Sequence, residues 1–211
     1  MTDAERVLAV LIHDVRTPLG VAHGYLRLVR GDKLPTPEDR DRALAGTQDA
    51  LAKISRLCQE AGGFLEEVRP GAIKAPARQL AERVTAVLAE RGVAVSGVEL
   101  PDGVVDVGTS VDRAADAIAT LLSVRAGRTP GVVATIDGTV SALRFACGPA
   151  AEGAPGPALD GDERPFDPWQ SSQGLGVALA HRLVTALGAR VWTAGAGLAL
   201  ALSLPMESEN A

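Results

Sequence analysis

Apolar residues recur along the first seventy positions in steps of three and four, the spacing that puts them on one face of a helix. Leu8, Ile12, Val15, Leu19, Ala22, Leu26 and Val29 form such a series and predict one long helix over 3–31. The alternation of four and three is a heptad seam, as in helices packed nearly parallel in a bundle. Gly31-Asp-Lys-Leu-Pro-Thr-Pro37 breaks it. A second helix is expected after Thr36, with Thr36 as cap, Pro37 at its first position and Glu38 and Asp39 in its first turn. Its stripe is Ala43, Thr47, Ala50, Ile54, Leu57, Ala61, Phe64 and Val68, widened by Leu44, Leu51, Cys58 and Leu65. Two helices with stripes this wide cannot bury both alone. A homodimer forming a four-helix bundle solves the problem, so the first part reads as a long antiparallel helical hairpin.

The texture changes after Arg69-Pro-Gly-Ala-Ile-Lys-Ala-Pro76, which reads as a linker. Helices are predicted over 77–91, 110–126 and 174–187, and a strand over 93–100. Two strand-like runs, Val132–Ile136 and Val140–Ala146, flank Asp137-Gly138, a hairpin signal. Residues 148–173, rich in Gly, Pro and Ala, read as a long loop, and a last hairpin is expected around Gly195-Ala-Gly197. Helices interleaved with antiparallel strands suggest a two-layer α/β sandwich. The expected architecture is therefore α plus α/β: a helical hairpin over 1–69, a linker over 70–76 and the sandwich over 77–211.

Composition narrows the classes. At 211 residues, 46% hydrophobic and 22% charged, the chain suits one or two globular domains. A net charge of -5 argues against a nucleic-acid surface. Cys58 and Cys147 stand far apart, without ligand spacing, as in a reduced cytoplasmic protein without a metal site. No run approaches the ~18 apolar residues of a membrane span, and the acidic start is unlike a signal peptide.

The chemistry concentrates in Leu11-Ile-His-Asp-Val-Arg-Thr-Pro-Leu19. His13 lies one step past the seam residue Ile12, about 100° around the helix, so it is expected to face outward. Arg16, Gly20, His23, Arg27 and Arg30 follow their own seam residues in the same way, giving an outward basic stripe with a small residue for close approach. Asp14 stands beside the imidazole as a proton acceptor, which would make the other ring nitrogen the better nucleophile. Thr17 follows Asp14 by three positions, and Pro18 removes the helical partner of the Asp14 carbonyl, so a bend is expected there. A lone helical histidine is usually a surface residue and a helical proline usually a kink; the joint string is what departs from those readings. His23 by itself reads as surface, His181 as structural or solvated, and Trp169 and Trp192 as packing residues.

This string closely resembles the H-box of two-component sensor histidine kinases, over roughly residues 3–69. The resemblance implies that His13 is phosphorylated, that Asp14 is the acid/base and that Thr17 assists dephosphorylation of a partner regulator. The basic stripe of Arg16, Gly20, His23 and Arg27 would then dock the acidic pocket of a response-regulator receiver domain. Membrane-bound members carry spans and a sensor ahead of the H-box, whereas only a dozen residues precede it here.

The order of elements over 77–205 resembles the Bergerat-type ATP-binding domain of the same kinases. Gly174-Leu-Gly-Val-Ala-Leu-Ala-His-Arg-Leu-Val184 with Gly188 looks like the second glycine box, where Gly174 and Gly176 would meet phosphate. Arg164-Pro-Phe-Asp-Pro-Trp169 is similar to the phenylalanine box. Two positions depart from the pattern. Thr120-Leu-Leu-Ser-Val-Arg125 stands where an asparagine box is expected, so Val124 replaces the magnesium ligand. Ala146-Cys-Gly-Pro-Ala150 stands for the first glycine box, so Ala146 replaces the adenine-binding carboxylate. A valine has no oxygen to offer a hard cation. With each such contact worth roughly 1.5–3 kcal/mol, losing both would cost about two to four orders of magnitude in affinity. Asp112, Asp116 and Asp137 are alternative carboxylates, with no spacing that selects one.

The leading expectation is a phosphorelay protein, a homodimer that exchanges a phosphoryl group between His13 and a receiver aspartate, with an upstream histidine kinase as a further candidate partner. No intrinsic cofactor is expected. Two alternatives stand beside it: an active kinase that uses ATP and magnesium through a divergent site, and a pseudokinase scaffold that is never phosphorylated.

Overall fold

The computed structural model describes residues 3–65, 71, 73–96, 102–108, 110–126, 132–139, 141–149, 157, 163–169, 174–194 and 199–207. It is a mixed helix-and-sheet protein of two compact units: Met1–Glu66 with Gly174–Gly176, and Glu67–Gln173 with Val177–Ala211. Among the described residues no helix is long and apolar enough to cross a membrane.

The first unit is two long helices, α1 (Asp3–Arg30) and α2 (Pro37–Leu65). Acidic Asp3 and Glu5 open α1 and basic Arg27 and Arg30 close it, each opposite in sign to the end of the helix dipole it faces. The Thr36 hydroxyl accepts the Asp39 backbone N–H at 3.1 Å and donates to the Asp39 carboxylate at 2.9 Å. This is the cap its position predicts. The helices pack along one another through small contacts: the Tyr25 ring lies so close over Gly46 that a Cβ there would sit 2.5 Å from it.

The stripe on α2 is the packed one. Ala43, Thr47, Ala50, Leu57, Ala61 and Phe64 are all buried, while Val68 lies outside the described residues. The seam on α1 divides. Of its residues only Ala22 is buried and Val15 and Val29 are half-buried, while Leu8, Ile12, Leu19 and Leu26 stand 48–61% exposed; the other buried residues of α1, Val7 and Pro18, lie off the seam. Leu44 and Leu51 of α2 are exposed as well. The reason is geometric: one neighbour covers one face of a helix, and a heptad seam serves more than one neighbour. α1 is helical straight through Pro18, which is buried in it.

The second unit is built on an eight-stranded sheet: β1 (Lys74–Pro76), β2 (Ala94–Ser96), β3 (Val104–Asp106), β4 (Val132–Thr139), β5 (Ala142–Pro149), β6 (Arg164–Pro165), β7 (Arg190–Ala194) and β8 (Ala199–Glu207). Its order is β1-β3-β8-β5-β4-β2, with β7 also on β8 and β6 on β7. All pairings are antiparallel except β2 with β4. Helices α3 (Ala77–Glu90), α4 (Val111–Ala126) and α5 (Gly174–Ala186) supply Leu80, Val84, Ile118, Leu121, Leu122 and Val184 to one core with Ile136, Leu143, Phe145, Leu200, Leu202 and Leu204 of the strands. The alternation of these strand residues turns one face of the sheet to the helices. Ser110 caps α4, its hydroxyl accepting the Arg113 N–H at 3.1 Å.

Three expectations change. Asp137-Gly138 is not the hairpin turn: both lie within β4, opposite Arg144 and Leu143, and the connection falls between Thr139 and Ala142. Burial of Ile136, Leu143 and Phe145 fixes a register that outweighs the local turn preference. Lys74–Pro76, read as linker, is strand β1, paired with β3. Arg164–Pro165, read as loop, is strand β6, paired with β7.

Candidate functional site

On α1 the His13 side chain is 85% exposed and its Nδ1 lies 3.0 Å from Asp14 Oδ1. An ionised carboxylate only accepts hydrogen bonds, so Nδ1 carries the proton and donates it to Asp14. The lone pair of a neutral ring then sits on Nε2. The Asp14 side chain is 30% exposed, sheltered by comparison with its neighbour. Such a pair presents a nitrogen nucleophile to solvent with its tautomer set by the adjacent residue. Thr17, one turn beyond His13, is exposed, and so are Arg16, Gly20, His23, Arg27 and Arg30. The outward basic stripe is thus a surface feature of α1, continuous with His13.

The glycines that open α5 and the glycine of β5 have separate local reasons. Gly174 has φ +76° at the start of α5, a backbone conformation that side chains rarely adopt. Gly176 follows in the first helical turn, where backbone N–H groups have no helical partner. Gly148, the glycine of Cys147-Gly-Pro149, has a packing reason: a Cβ there would meet the Cα and Cβ of Ala199 at 2.9 and 2.8 Å.

The positions that resemblance assigns to magnesium and adenine do not fit such a ligand. Val124 is half-buried and packs against the hydrophobic core. Ala146 is 3% exposed and clusters with Trp192, Ala194 and Ala201, apart from the core its neighbours Phe145 and Cys147 join. Neither offers an oxygen, and they belong to different clusters. Asp112 and Asp116 are engaged elsewhere, by Arg83 at 2.6 Å and Arg91 at 2.5 Å, in pairs that tie α3 to α4. Among the described residues no group of three or more His, Cys, Asp or Glu side chains is placed to hold a metal.

His181 of α5 is half-buried, its ring tilted 44° to that of Phe166 at 5.8 Å. Burial pushes its imidazole below the usual histidine range, and nearby Asp167 opposes the shift. Cys147 is buried and its thiol is pushed up to about 11 by desolvation, so it is an inert core thiol. The sequence missed one constellation altogether: Asp137, Arg144, Ser203 and Arg190, brought into one row by strand pairing. Only their alternation with buried neighbours hints that they share a face.

No protein-family model matches the chain, and no curated protein matches it. Solved structures do. Histidine kinase AdeS of Acinetobacter baumannii is 16% identical with a TM-score of 0.55, over 94% of this chain and 98% of that one. Histidine kinase ThkA, in complex with response regulator protein TrrA, is 16% identical with a TM-score of 0.63, over 97% of this chain and 62% of that one. ShkA, solved at full length in complex with AMPPNP, is 22% identical with a TM-score of 0.54, over all of this chain and 47% of that one. The chain thus spans about half of ShkA and less than two thirds of the ThkA chain. At these identities the likeness is one of fold.

Proposed function

We propose that the protein is a two-component phosphorelay protein, in which His13 exchanges a phosphoryl group with an aspartate of a response-regulator receiver domain. The observation that carries this reading is the exposed His13 ring with its Nδ1 3.0 Å from Asp14 Oδ1. Nε2 attacks the phosphorus of the receiver's aspartyl phosphate; the new N–P bond forms as the acyl P–O bond breaks, and the aspartate leaves as a carboxylate. The positive charge that develops on the ring is stabilised by Asp14 through the Nδ1 proton. Reversal returns the group to a receiver. Thr17, on the same helical face, positions a water for a companion dephosphorylation of the regulator. Arg16, Gly20, His23 and Arg27 form the docking stripe, its positive charge matched to the acidic pocket of a receiver.

The chain acts as a homodimer in this reading. Leu8, Ile12, Leu19 and Leu26 on α1, with Leu44 and Leu51 on α2, are large apolar residues left exposed. Two copies of α1 and α2 bury them in a four-helix bundle, with domains at 1–69 and 77–211. The donor set of the second unit does not fit magnesium nucleotide, so no step runs through ATP. Phosphoryl transfer from a receiver needs positioning and charge, which the stripe and the His13–Asp14 pair supply.

The test is phosphoryl transfer from receiver domains charged with labelled phosphoramidate, run beside an arm with labelled ATP and magnesium. We expect acid-labile label on the parent chain from the receiver arm and none on His13→Ala. Label taken from ATP onto His13 would replace this reading by that of an active kinase. Full cellular function of His13→Ala would replace it by that of a scaffold.

A further inference from the structure

The face of the sheet turned away from the helices carries a polar row that the phosphoryl chemistry does not use. Asp137 of β4 stands opposite Arg144 of β5, Arg144 opposite Ser203 of β8, and Ser203 opposite Arg190 of β7. Directly opposed residues share a face. Two residues along, Ala146, Ala201 and Trp192 face the same way and, with Ala194, make a small buried cluster of their own. Two alanines beside a tryptophan leave a depression, and these residues line a cleft of ≈ 290 Å³.

The polar groups divide into held and free. Glu163 pairs with Arg190 at 2.6 Å, and the Arg190 guanidinium lies 5.0 Å from the Trp192 ring centroid. Salt bridge and cation–π contact together fix this arginine, yet a guanidinium has five N–H donors and Glu163 does not use them all. Arg144, the Ser203 hydroxyl and Asp137 make no ion pair or side-chain hydrogen bond among the described residues, although Arg144 and Asp137 are direct cross-strand neighbours. Strands lie about 4.8 Å apart, so the two arginine backbones stand about 10 Å from each other with Ser203 midway. An oxyanion above Ser203 would take charge-assisted hydrogen bonds from both sides and a third from the hydroxyl.

The other groups select the anion. Asp137 and Glu163 balance the two arginines, so the lining is formally neutral and favours a monoanion over a doubly charged phosphate. Trp192 and the alanines offer an apolar surface to whatever carries the charge. We propose that this cleft binds a small organic monocarboxylate, with its carboxylate between Arg144 and Arg190 over Ser203 and its apolar body along Trp192.

The probe is sodium benzoate, titrated at constant ionic strength into the ¹⁵N-labelled full chain and followed through the two tryptophan indole N–H resonances. The Trp192 signal shifts saturably in the millimolar range or below, and that of Trp169 does not. Arg144→Gln and Ser203→Ala each weaken binding by about tenfold or more; both sites lie on a solvent-facing row, and circular dichroism confirms that the variants fold. Acetate, lacking the apolar body, binds more weakly. The proposal is overturned by the absence of saturation, by Arg144→Gln binding as the parent does, or by inorganic phosphate binding more tightly than benzoate.

Discussion

At the scale of single residues, the His13–Asp14 pair depends on which ring nitrogen carries the proton, and Asp14 favours Nδ1, the one it faces. Asp14→Asn replaces an acceptor by a group that offers the ring either a carbonyl or an amide, so the tautomer is no longer enforced. We expect the rate of phosphoryl transfer to fall by about 10²–10⁴-fold while binding of the receiver persists, measured by single-turnover transfer and by titration. His181 provides a different residue-level test. Its imidazole is depressed by burial, so the unfolded chain takes up a proton at a higher pH than the folded one. Stability is therefore fully present above the ordinary histidine value of about 6.5 and is lost as pH falls through it toward the depressed folded value. Urea midpoints of the parent should fall between neutral and mildly acidic pH more steeply than those of His181→Gln. The direction of the His13–Leu19 residues could be read because they lie on one helix, where spacing alone gives direction. Arg144 and Arg190 could not: forty-six positions separate them in sequence, and only the shared pairing with Ser203 joins them.

At the scale of elements, the boundaries that were legible are those with a side-chain signature. Thr36 and Pro37 open α2 as read, and its packed stripe runs through the residues that periodicity selects. Thr36→Ala removes the cap and should cost about 1 kcal/mol, seen as a lower thermal midpoint of the helical signal. Strands β1, β3 and β6, of two or three residues, are too short to show alternation, and pairing partners far along the chain define them. The misplaced hairpin turn teaches the same point. Asp137-Gly138 has the right local chemistry for a turn, but a turn there would break the pairing of Phe145 with Ile136 and of Leu143 with Gly138. Phe145→Ala should therefore cost about 3–5 kcal/mol, since the ring is fully buried at the centre of this core. Gly148→Ala should destabilise by about 1–3 kcal/mol through collision with the Ala199 backbone. That loss would be the same with or without nucleotide, which separates a packing glycine from a phosphate-binding one.

At the scale of the whole molecule, the exposed leucines of α1 and α2 are the residues on which the proposed homodimer rests. Leu19→Glu with Leu51→Glu should convert a dimer to a monomer in sedimentation velocity, with helix content largely retained, because both side chains are already exposed in the single chain. How the histidine chemistry would be regulated follows from the one-residue separation of His13 and Asp14. A nucleophile and a proton acceptor on different helices are made and unmade by sliding one helix past the other. Here both groups hang from consecutive residues of one helix, so sliding of one helix past another would not separate them. In the proposed relay the pair would then stay together whatever the helices do, and a signal would act on who reaches the histidine.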